Sequence, residues 1–452
     1  MEREKLSSRL GFILISAGCA IGIGNVWKFP YVAGQNGGAI FILIYLLFLI
    51  LLGIPIMTME FSMGRASRRS PARIYEQLER PGTHWHYHGK IAVAGNYLLM
   101  MFYTTVAGWM LKYFLDFTFG WIDMSSPESV AMHFEAMNKD PFTLVSMMAI
   151  VVVLGFGICA LGLQSGLEKF SKWMMSSLLL IMLVLAINSI FLEGAQEGLR
   201  FYLLPNLDRF LEAGPFQVIV SAMNQAFFTL SLGIGAMAIF GSYIDKKHTL
   251  LSESINVAFL DTFVAITAGL IIIPACFAFN IEVGAGPSLI FITLPNLFHN
   301  MPFGRLWGAL FFVFMSFAAF STVLAVFENI ISSTMDLFSV SRKKACLYNV
   351  FIVFLLSLPC ALGFNLLEQI APLGTGTTIL DLEDFIVSNL ILPLGSFVFV
   401  LFCTWKLGWG WNSFVQEANQ GKGIKVQPWM KNYCKFVLPL AILFIFLAGF
   451  FA

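Results

Sequence analysis

The chain has 452 residues, of which 58% are hydrophobic, 15% aromatic and only 12% charged. Soluble domains carry about 25% charged residues, so this composition excludes a soluble globular protein. The 27 basic and 26 acidic residues leave a formal net charge of +1, which lacks the basic footprint of a nucleic-acid-binding protein. The seven cysteines contain no C-x-x-C pair, so we expect them to be apolar fillers without disulfides.

A helix crosses the hydrocarbon core of a membrane with roughly 20 apolar residues. Eleven such stretches begin near residues 10, 40, 90, 143, 167, 216, 252, 303, 345, 384 and 433. The strands of a barrel would alternate in segments of about ten residues, whereas residues 41–57 and 178–190 are apolar on every face. We therefore predict an all-α integral membrane protein with about 11 transmembrane helices, which forms a single domain over residues 1–452.

The charges between the predicted spans alternate in sign. Basic residues precede the first span and occupy every second loop, for example Arg3, Lys5, Arg9, Arg65, Arg68, Lys246, Lys247, Arg342 and Lys343, whereas the other loops hold acids such as Asp123, Glu128, Asp140 and Glu193. Because basic residues accumulate in cytoplasmic loops, we predict a cytoplasmic N-terminus and, with an odd number of spans, a C-terminus outside. The sequence contains no G-x-x-x-x-G-K-[ST] phosphate loop, so solute movement would use an ion gradient or a passive pore.

Glycines and polar residues interrupt the first and sixth spans. The string Gly-Ile-Gly occurs at residues 22–24 and again at 233–235. Small residues can simply allow close helix packing. However, the two strings correspond if the first ten spans form two five-helix inverted repeats, at about 10–190 and 216–406, followed by an extra helix at about 433–452. Interrupted spans in matching halves indicate a transporter's binding site, where free carbonyls and helix N-termini would serve a sodium ion and a carboxylate.

A specific motif, Gly-Asn-x-Trp-[Arg/Lys]-Phe-Pro, lies within residues 16–41, SAGCAIGIGNVWKFPYVAGQNGGAIF. In this segment the chain resembles the neurotransmitter:sodium symporter family, in particular its bacterial amino-acid transporters. The resemblance continues through GIPIMTMEFSMGR at 53–65, QAFFTLSLGIGA at 225–236 and FAAFSTVLAVFE at 317–328, and so extends across most of the chain. It implies an inverted-repeat fold with one substrate site, two sodium sites at mid-membrane and alternating access.

The resemblance also implies ligands for both sodium ions. Sodium site one would use the substrate carboxylate together with Ala20, Asn25, Thr229 and Asp261. Asp261 departs from the amide of the family, and Asn256 is the fallback ligand if the alignment contains a gap. Sodium site two would use carbonyls of Gly18, Ile21 and Ala318 and hydroxyls of Ser321 and Thr322. Chloride-dependent relatives have a serine where this chain has Ala265, so Asp261 is expected to supply the missing negative charge, and chloride is not expected to be required.

The substrate class follows from an absence. Relatives that carry amines without a carboxylate have an aspartate where this chain has Gly22, so the resemblance implies an α-amino acid. Its carboxylate would meet N–H groups near Ile23 and Gly24 and the Tyr103 hydroxyl, and its ammonium would face Ala20, Phe228, Thr229 and Ser231. The side-chain pocket would be lined by Leu99, Tyr103, Phe228, Ser231, Ile234, Thr322 and Val326. This pocket holds no charge that could compensate a charged side chain, so the expected substrates are neutral and mainly apolar.

Two gates are implied in the same way. Lys28 and Asp384 would close the outer side, with Phe228 and Tyr103 as the inner lid of that vestibule, and Arg3, Tyr243 and Asp336 would close the cytoplasmic side. Glu60 is expected to pair with basic loop residues. Glu328 replaces a neutral amide of the family pattern and has no assigned role, although a protonatable site is one interpretation.

We interpret the chain as a sodium-coupled importer of amino acids in a bacterial inner membrane. Its partners would be a neutral amino acid, sodium ions and the lipid bilayer, with no nucleic acid and no obligate protein partner. An amino-acid-binding sensor or scaffold would share the pocket without needing both gates, and a channel would need a continuous lined pore. We do not expect an enzyme, since no nucleophile, base and oxyanion donor are grouped in the sequence.

Overall fold

The computed structural model describes residues 4–279, 288–299 and 301–449, and the regular secondary structure of this part of the chain is helical apart from one isolated bridge between His248 and Lys422. Its helices are α1 (Arg9–Ala20), α2 (Gly24–Gln35), α3 (Ala39–Ser67), α4 (Pro71–Leu78), α5 (His86–Phe119), α6 (Pro127–Lys139), α7 (Pro141–Ala160), α8 (Leu163–Ile190), α9 (Ala195–Leu203), α10 (Leu207–Glu212), α11 (Pro215–Phe228), α12 (Ala236–Gly241), α13 (Leu250–Ala278), α14 (Leu289–His299), α15 (Gly304–Phe338), α16 (Arg342–Leu362), α17 (Ile379–Thr404), α18 (Trp411–Ala418) and α19 (Met430–Ala448). Within these ranges nine helices are long and apolar enough to cross a membrane: α3, α5, α7, α8, α13, α15, α16, α17 and α19. The prediction of an all-α membrane protein is confirmed.

The first predicted span is a bent pair. α1 and α2 meet at an angle of 61°. The last backbone hydrogen bond of α1 runs from the Ile21 N–H to the Ala17 carbonyl at 2.6 Å. Across the break, the Asn25 N–H donates to the Gly22 carbonyl at 3.2 Å. Glycine is a poor helix former, so the helix breaks where Gly22 and Gly24 flank a single isoleucine.

The sixth predicted span consists of two separate helices, α11 and α12, on either side of residues 229–235. Ser231, Gly233 and Gly235 have φ angles of 50°, 102° and 73°, which a right-handed helix cannot contain. α11 has 14 residues and α12 has 6, so each is shorter than a membrane crossing. Among the described residues nine helices, or ten units with the bent pair, are therefore long and apolar enough to cross a membrane, and the predicted stretch near residue 216 is not one continuous helix.

Long helices enclose the two breaks. α15 packs against α1, α5 and α8, and α13 packs against α1, α2 and α8. The second break also touches α17, because a Cβ on Gly395 would lie 2.0 Å from the Gly233 carbonyl oxygen. Polar side chains near the breaks are almost fully buried: Ser16, Asn25, Thr229, Asp261, Ser321 and Thr322. Polar and ionisable groups inside a membrane bundle indicate a functional site.

The bundle has two chemically different ends. We call the end at which Arg65 and His248 lie the basic end; there Arg65 donates to Glu417 at 2.7 Å and to the His248 carbonyl at 2.9 Å. We call the end at which α6 approaches the segment after α16 the acidic end; there Asn365 donates to the Asn138 carbonyl at 2.9 Å. Loops from distant parts of the chain thus meet at each end and hold the spans together.

Candidate functional site

A cavity of about 370 Å³ lies where the two breaks meet. It is lined by Cys19, Ala20, Gly22, Ile23, Gly24, Asn25, Trp27, Lys28, Tyr31, Leu99, Phe102, Tyr103, Val106, Phe228, Thr229, Ser231, Thr322, Leu380, Asp381, Asp384, Val387 and Leu392. The wall contains every residue predicted to bind substrate except Ile234 and Val326. The structure therefore brings residues from five predicted spans to the wall of one cavity.

Ile234 and Val326 are fully buried and are not among the residues that line this cavity, so their place in the substrate pocket stays a prediction. Ile234 follows the left-handed Gly233, and its methyl group Cγ2 packs towards Gly95, 3.3 Å from where a Cβ would stand. Val326 lies one helical turn beyond Thr322 on α15 and is covered by other helices. Both side chains contribute to packing behind the cavity.

Several wall residues were missed by the sequence analysis. Phe102 and Val106 each lie three residues beyond a predicted neighbour on α5, at Leu99 and Tyr103, and residues three or four apart share a helix face. That spacing was a usable signal. Trp27, Tyr31, Leu380, Val387 and Leu392 carried no comparable signal, because their position depends on how α2 and α17 pack.

Two glycines keep the cavity open beside the first break. A Cβ on Gly22 would lie 2.6 Å from the Tyr103 hydroxyl and 3.1 Å from the Thr322 hydroxyl. A Cβ on Gly24 would lie 2.9 Å from a ring carbon of Phe228. The same segment is anchored to α5, since the Ile23 N–H donates to the Tyr103 hydroxyl at 3.1 Å.

The side chains predicted for sodium site one form a hydrogen-bonded cluster. Asp261 is fully buried on α13. Its Oδ1 accepts from the Asn25 amide at 2.7 Å, and its Oδ2 accepts from the Thr229 hydroxyl at 3.0 Å. Ala20 lines the adjoining cavity. α2, the second break and α13 thus bring the Asn25 amide, the Thr229 hydroxyl and the Asp261 carboxylate together. The Asn25 Oδ1 accepts from the Gly22 N–H at 3.4 Å, so Asn25 would have to turn its oxygen from that N–H towards a cation bound here.

The residues predicted for sodium site two also meet. The Ser321 hydroxyl lies 3.0 Å from the Gly18 carbonyl oxygen and 2.9 Å from the Ala318 carbonyl oxygen, and its one proton is shared between these two acceptors. The Thr322 hydroxyl lies 3.2 Å from the Gly18 carbonyl and 3.4 Å from the Ile21 carbonyl. These oxygens belong to the end of α1 and to α15, so an ion held between them would join the first break to α15.

In the part of the chain that the structure describes, the wall of the cavity contains three charged residues: Lys28, Asp381 and Asp384. The Lys28 ammonium lies 4.2 Å from the centre of the Phe228 ring. Asp384 accepts from the Ser388 hydroxyl at 2.8 Å, and Asp381 caps the start of its helix through Thr378. The two predicted outer-gate residues thus face the same cavity while each contacts another group.

The predicted gate at the basic end lies only partly within the described residues, so it stays a prediction. Arg3 lies outside the described residues. The Tyr243 hydroxyl donates to Glu328 at 2.5 Å and contacts the Ser332 hydroxyl at 2.6 Å, whereas Asp336 accepts from the Ser70 N–H at 2.7 Å. Glu328, which had no assigned role, is the buried carboxylate that receives Tyr243.

Glu60 has a role that the sequence analysis did not predict. Instead of pairing with basic loop residues, its Oε1 accepts from the Gly233 N–H at 2.6 Å. On the other side of that peptide, the Ile234 carbonyl accepts from Asn96 at 2.9 Å and from Asn329 at 3.4 Å. Buried backbone groups freed from a helix need such partners, so these three side chains hold the second break in shape.

Comparisons with known proteins agree with this geometry. A family model described as the sodium:neurotransmitter symporter family matches residues 3–127 and 128–452. The chain is 34% identical over 445 residues to the uncharacterized sodium-dependent transporter YhdH of Bacillus subtilis, covering 98% of this chain and 96% of that relative. It is 24% identical over 488 residues to the sodium- and chloride-dependent taurine transporter of Rattus norvegicus, covering 97% and 76%. The crystal structure of MhsT in complex with L-phenylalanine superposes with a TM-score of 0.87 at 37% identity, covering 99% of this chain and all of that one.

Proposed function

Because this chain belongs to the sodium:neurotransmitter symporter family, we propose that it imports neutral, mainly apolar L-amino acids by sodium-coupled symport. It is a multi-pass membrane protein and a sodium-dependent transporter, and it is not an enzyme. One observation carries the substrate assignment: the cavity joins the exposed backbone of two helix breaks at one end to uncharged side chains around its middle. An amino acid has the matching arrangement of a charged head and an apolar side chain.

The charged head of the substrate would lie between the breaks. The backbone at Ile23 and Gly24 begins α2, so the Gly24 N–H and the positive end of the helix dipole favour a carboxylate. The Ile23 N–H donates to the Tyr103 hydroxyl and would have to exchange that partner to reach the carboxylate itself. The Tyr103 hydroxyl adds a donor beside them. α1 and α11 end at Ala20 and Phe228, and the carbonyls at these ends would receive the ammonium group. The Phe228 carbonyl also accepts from the Ser231 N–H at 3.1 Å, which leaves its second lone pair for the ammonium.

The side chain of the substrate would face Leu99, Phe102, Val106 and Phe228. These residues offer apolar surface and no counter-ion, so a charged side chain would lose its hydration without compensation. A cavity of about 370 Å³ accommodates substrates as large as aromatic amino acids. The bound L-phenylalanine in the similar MhsT structure supports this size range.

Two sodium ions would be co-transported. The first would bind Ala20, Asn25, Thr229, Asp261 and the substrate carboxylate, and the second would bind Gly18, Ile21, Ala318, Ser321 and Thr322. In the first site Asp261 would be both ligand and built-in counter-charge, since a cation beside it favours the ionised carboxylate. Transport by this chain would then not require chloride, unlike that of the relative named as chloride-dependent.

Alternating access would connect this site to the two sides of a bacterial inner membrane. The basic end would face the cytoplasm, which places the N-terminus inside and the C-terminus outside. Lys28 and Asp384 would close the outer side, and Arg3, Tyr243 and Asp336 the inner side. The inverted repeats would make the two closures structurally similar, and one chain would suffice for the cycle.

The proposal is tested by purified protein in liposomes with a panel of labelled amino acids. Uptake of apolar and aromatic amino acids should saturate and should require an inward sodium gradient. Since the substrate carboxylate would complete the first sodium site, equilibrium binding should also tighten when sodium replaces potassium, and sodium should bind more tightly with substrate present. Sodium-dependent binding without uptake would favour a sensor, and binding that ignores sodium would refute symport.

A further inference from the structure

Another cavity, of about 340 Å³, lies at the basic end between α18 and the segment that leads into α19. It is lined by Trp411, Val415, Asn419, Lys425, Val426, Gln427 and Pro428. Its volume falls within the usual range of ligand pockets, about 300–1,000 Å³. It shares no lining residue with the substrate cavity, so the proposed transport cycle does not account for it.

Hydrogen bonds hold the walls of this cavity together. Asn419, directly after α18, donates to the Val426 carbonyl at 3.1 Å and accepts from the Val426 N–H at 2.7 Å. The Trp405 indole N–H donates to the Lys435 carbonyl at 3.4 Å, which joins the end of α17 to the first turns of α19. The cavity is therefore preformed, because each of its two sides is tied to the rest of the bundle.

The surface around this cavity is strongly basic. Residues 404–449 contain one acid, Glu417, and five lysines: Lys406, Lys422, Lys425, Lys431 and Lys435. Glu417 already accepts from Arg65 at 2.7 Å. Within the part of the chain that the structure describes, none of the five lysines forms an ion pair. A concentrated positive charge thus remains without a counter-charge from the protein.

The lining of the cavity suits an anion. Among the described residues it includes the Lys425 ammonium group and the Trp411 indole, but no aspartate or glutamate. The Trp411 N–H donates to no acceptor in the described ranges, so two donors are available to a phosphate group. A zwitterionic headgroup would bring an additional cationic group, for which this lining offers no acid.

Apolar residues beside the cavity indicate a membrane lipid as the source of the phosphate. Trp429 follows the lining residue Pro428 and is 71% exposed. Exposed apolar residues then recur along α19 at helical spacing: Phe436, Leu440, Leu443 and Leu447. Tryptophan is enriched at the membrane–water interface, and basic pockets beside transmembrane helices bind anionic headgroups. Acyl chains would lie along α19 while the headgroup enters the cavity.

We propose that this cavity binds the headgroup of an anionic glycerophospholipid, such as phosphatidylglycerol, with Lys425 and Trp411 holding the phosphate. The other lysines of residues 404–449 attract anionic lipids to this part of the surface. The bound lipid links α18 to α19. The proposal does not depend on the substrate or on the transport cycle, since the site is separate from the substrate cavity.

The test measures lipid binding to the purified full-length protein and does not require transport. Delipidated protein in a non-ionic detergent is titrated with dioleoyl-phosphatidylglycerol or with dioleoyl-phosphatidylcholine, and bound lipid is quantified by native mass spectrometry. The first phosphatidylglycerol should bind more tightly than the first phosphatidylcholine. Glycerol 3-phosphate at the same concentrations should not displace it, because that compound lacks acyl chains. Displacement would assign the cavity to a soluble phosphate ester and would overturn the lipid proposal.

Two variants test the residues assigned to the phosphate. Lys425→Gln should weaken binding of the first phosphatidylglycerol about fivefold, the equivalent of the about 1 kcal/mol that one basic residue contributes near an anionic membrane surface. Trp411→Phe keeps an aromatic ring but removes the N–H, and should weaken binding about tenfold, the lower range for loss of a hydrogen bond to a charged group. Lys169→Gln is the matched control: it removes an exposed lysine near the start of α8 and should bind lipid like the parent.

Equal losses in Lys425→Gln and Lys169→Gln would mean that lipid responds only to net charge, and would overturn the site. Equal affinity of the parent for the two lipids, or parental affinity in both Lys425→Gln and Trp411→Phe, would overturn it as well. Lys425→Arg keeps the charge and should retain the parental preference. If Trp411→Phe does not yield monodisperse protein, the parent and the variants of the exposed Lys425 still decide the question.

Discussion

Replacing Asp261 by asparagine tests whether one residue supplies both a sodium ligand and the negative charge of the first sodium site. The carboxylate is fully buried and receives the Asn25 amide at 2.7 Å and the Thr229 hydroxyl at 3.0 Å. Asparagine keeps the shape but loses the charge, and its NH₂ group must face one of these two donors. The substitution therefore changes electrostatics with little change in volume.

The size of the effect can be bounded from this geometry. Two unit charges 4 Å apart attract by about 4 kcal/mol at an effective dielectric constant near 20. Removing the buried carboxylate also removes its desolvation cost, which offsets part of that attraction. A net loss of about 2 kcal/mol corresponds to roughly thirtyfold weaker sodium binding.

The assay is sodium-dependent binding and uptake of a labelled apolar amino acid, in chloride and in gluconate. The parent should behave alike in both anions. Asp261→Asn should lose most activity in gluconate, and adding Ala265→Ser should restore part of it only in chloride, because Ala265 is buried one turn further along α13 and a hydroxyl there would help a mobile anion to replace the charge. Ala265→Ser alone is the control and should remain indifferent to chloride. A parent that needs chloride, or an Asp261→Asn variant with normal activity in gluconate, would refute the counter-charge role.

Two further variants test the cavity and the inner closure. Gly22→Ala should weaken amino-acid binding about tenfold, since its Cβ would stand 2.6 Å from the Tyr103 hydroxyl and overpacking typically costs about 1–3 kcal/mol. Gly157→Ala is the control, because no atom lies within 4 Å of its added Cβ. Equal affinity in both variants would mean that the cavity wall beside Gly22 moves to accept the methyl group. Asp336→Ala removes the acceptor of the Ser70 N–H and should speed thiol labelling of an Ile244→Cys variant in sodium, since Ile244 lies next to Tyr243 and is only 6% exposed; identical labelling of variant and parent would count against a gate at Asp336.

The sequence identified the helix breaks because glycine pairs inside apolar spans have a direct physical effect on a helix. It did not predict the length of the second break. Ser231 there has a φ of 50°, a conformation that its own side chain disfavours and that the surrounding helices impose. The pocket residues on α5 were only partly predicted for a simpler reason: helical spacing points to Phe102 and Val106, whereas the resemblance to the family pointed only to Leu99 and Tyr103.

Partners of buried carboxylates were the least predictable feature. Glu60 was assigned to basic loop residues, but the unwound Gly233 N–H needed an acceptor at that depth. Arg342 counted only as a charge that orients the protein in the membrane, although its partner Glu328 lies 14 residues earlier in the chain. Such pairs depend on which helix faces meet, and neither hydropathy nor charge patterning encodes that meeting.

The present contacts of Lys28 and Asp384 affect whether the transporter can cycle without bound substrate. Lys28 rests on the Phe228 ring and Asp384 on the Ser388 hydroxyl, so pairing the two charges exchanges existing interactions for a new one. A cation–π contact is worth about 0.5–2 kcal/mol and a hydrogen bond about 1 kcal/mol, against about 0–1 kcal/mol for an exposed ion pair. Without bound substrate, the transporter would therefore gain no free energy by closing this side. A substrate that covers the Phe228 ring removes the alternative partner of Lys28, so we expect closure to depend on bound substrate. This dependence would prevent the transporter from cycling with sodium alone and dissipating the sodium gradient.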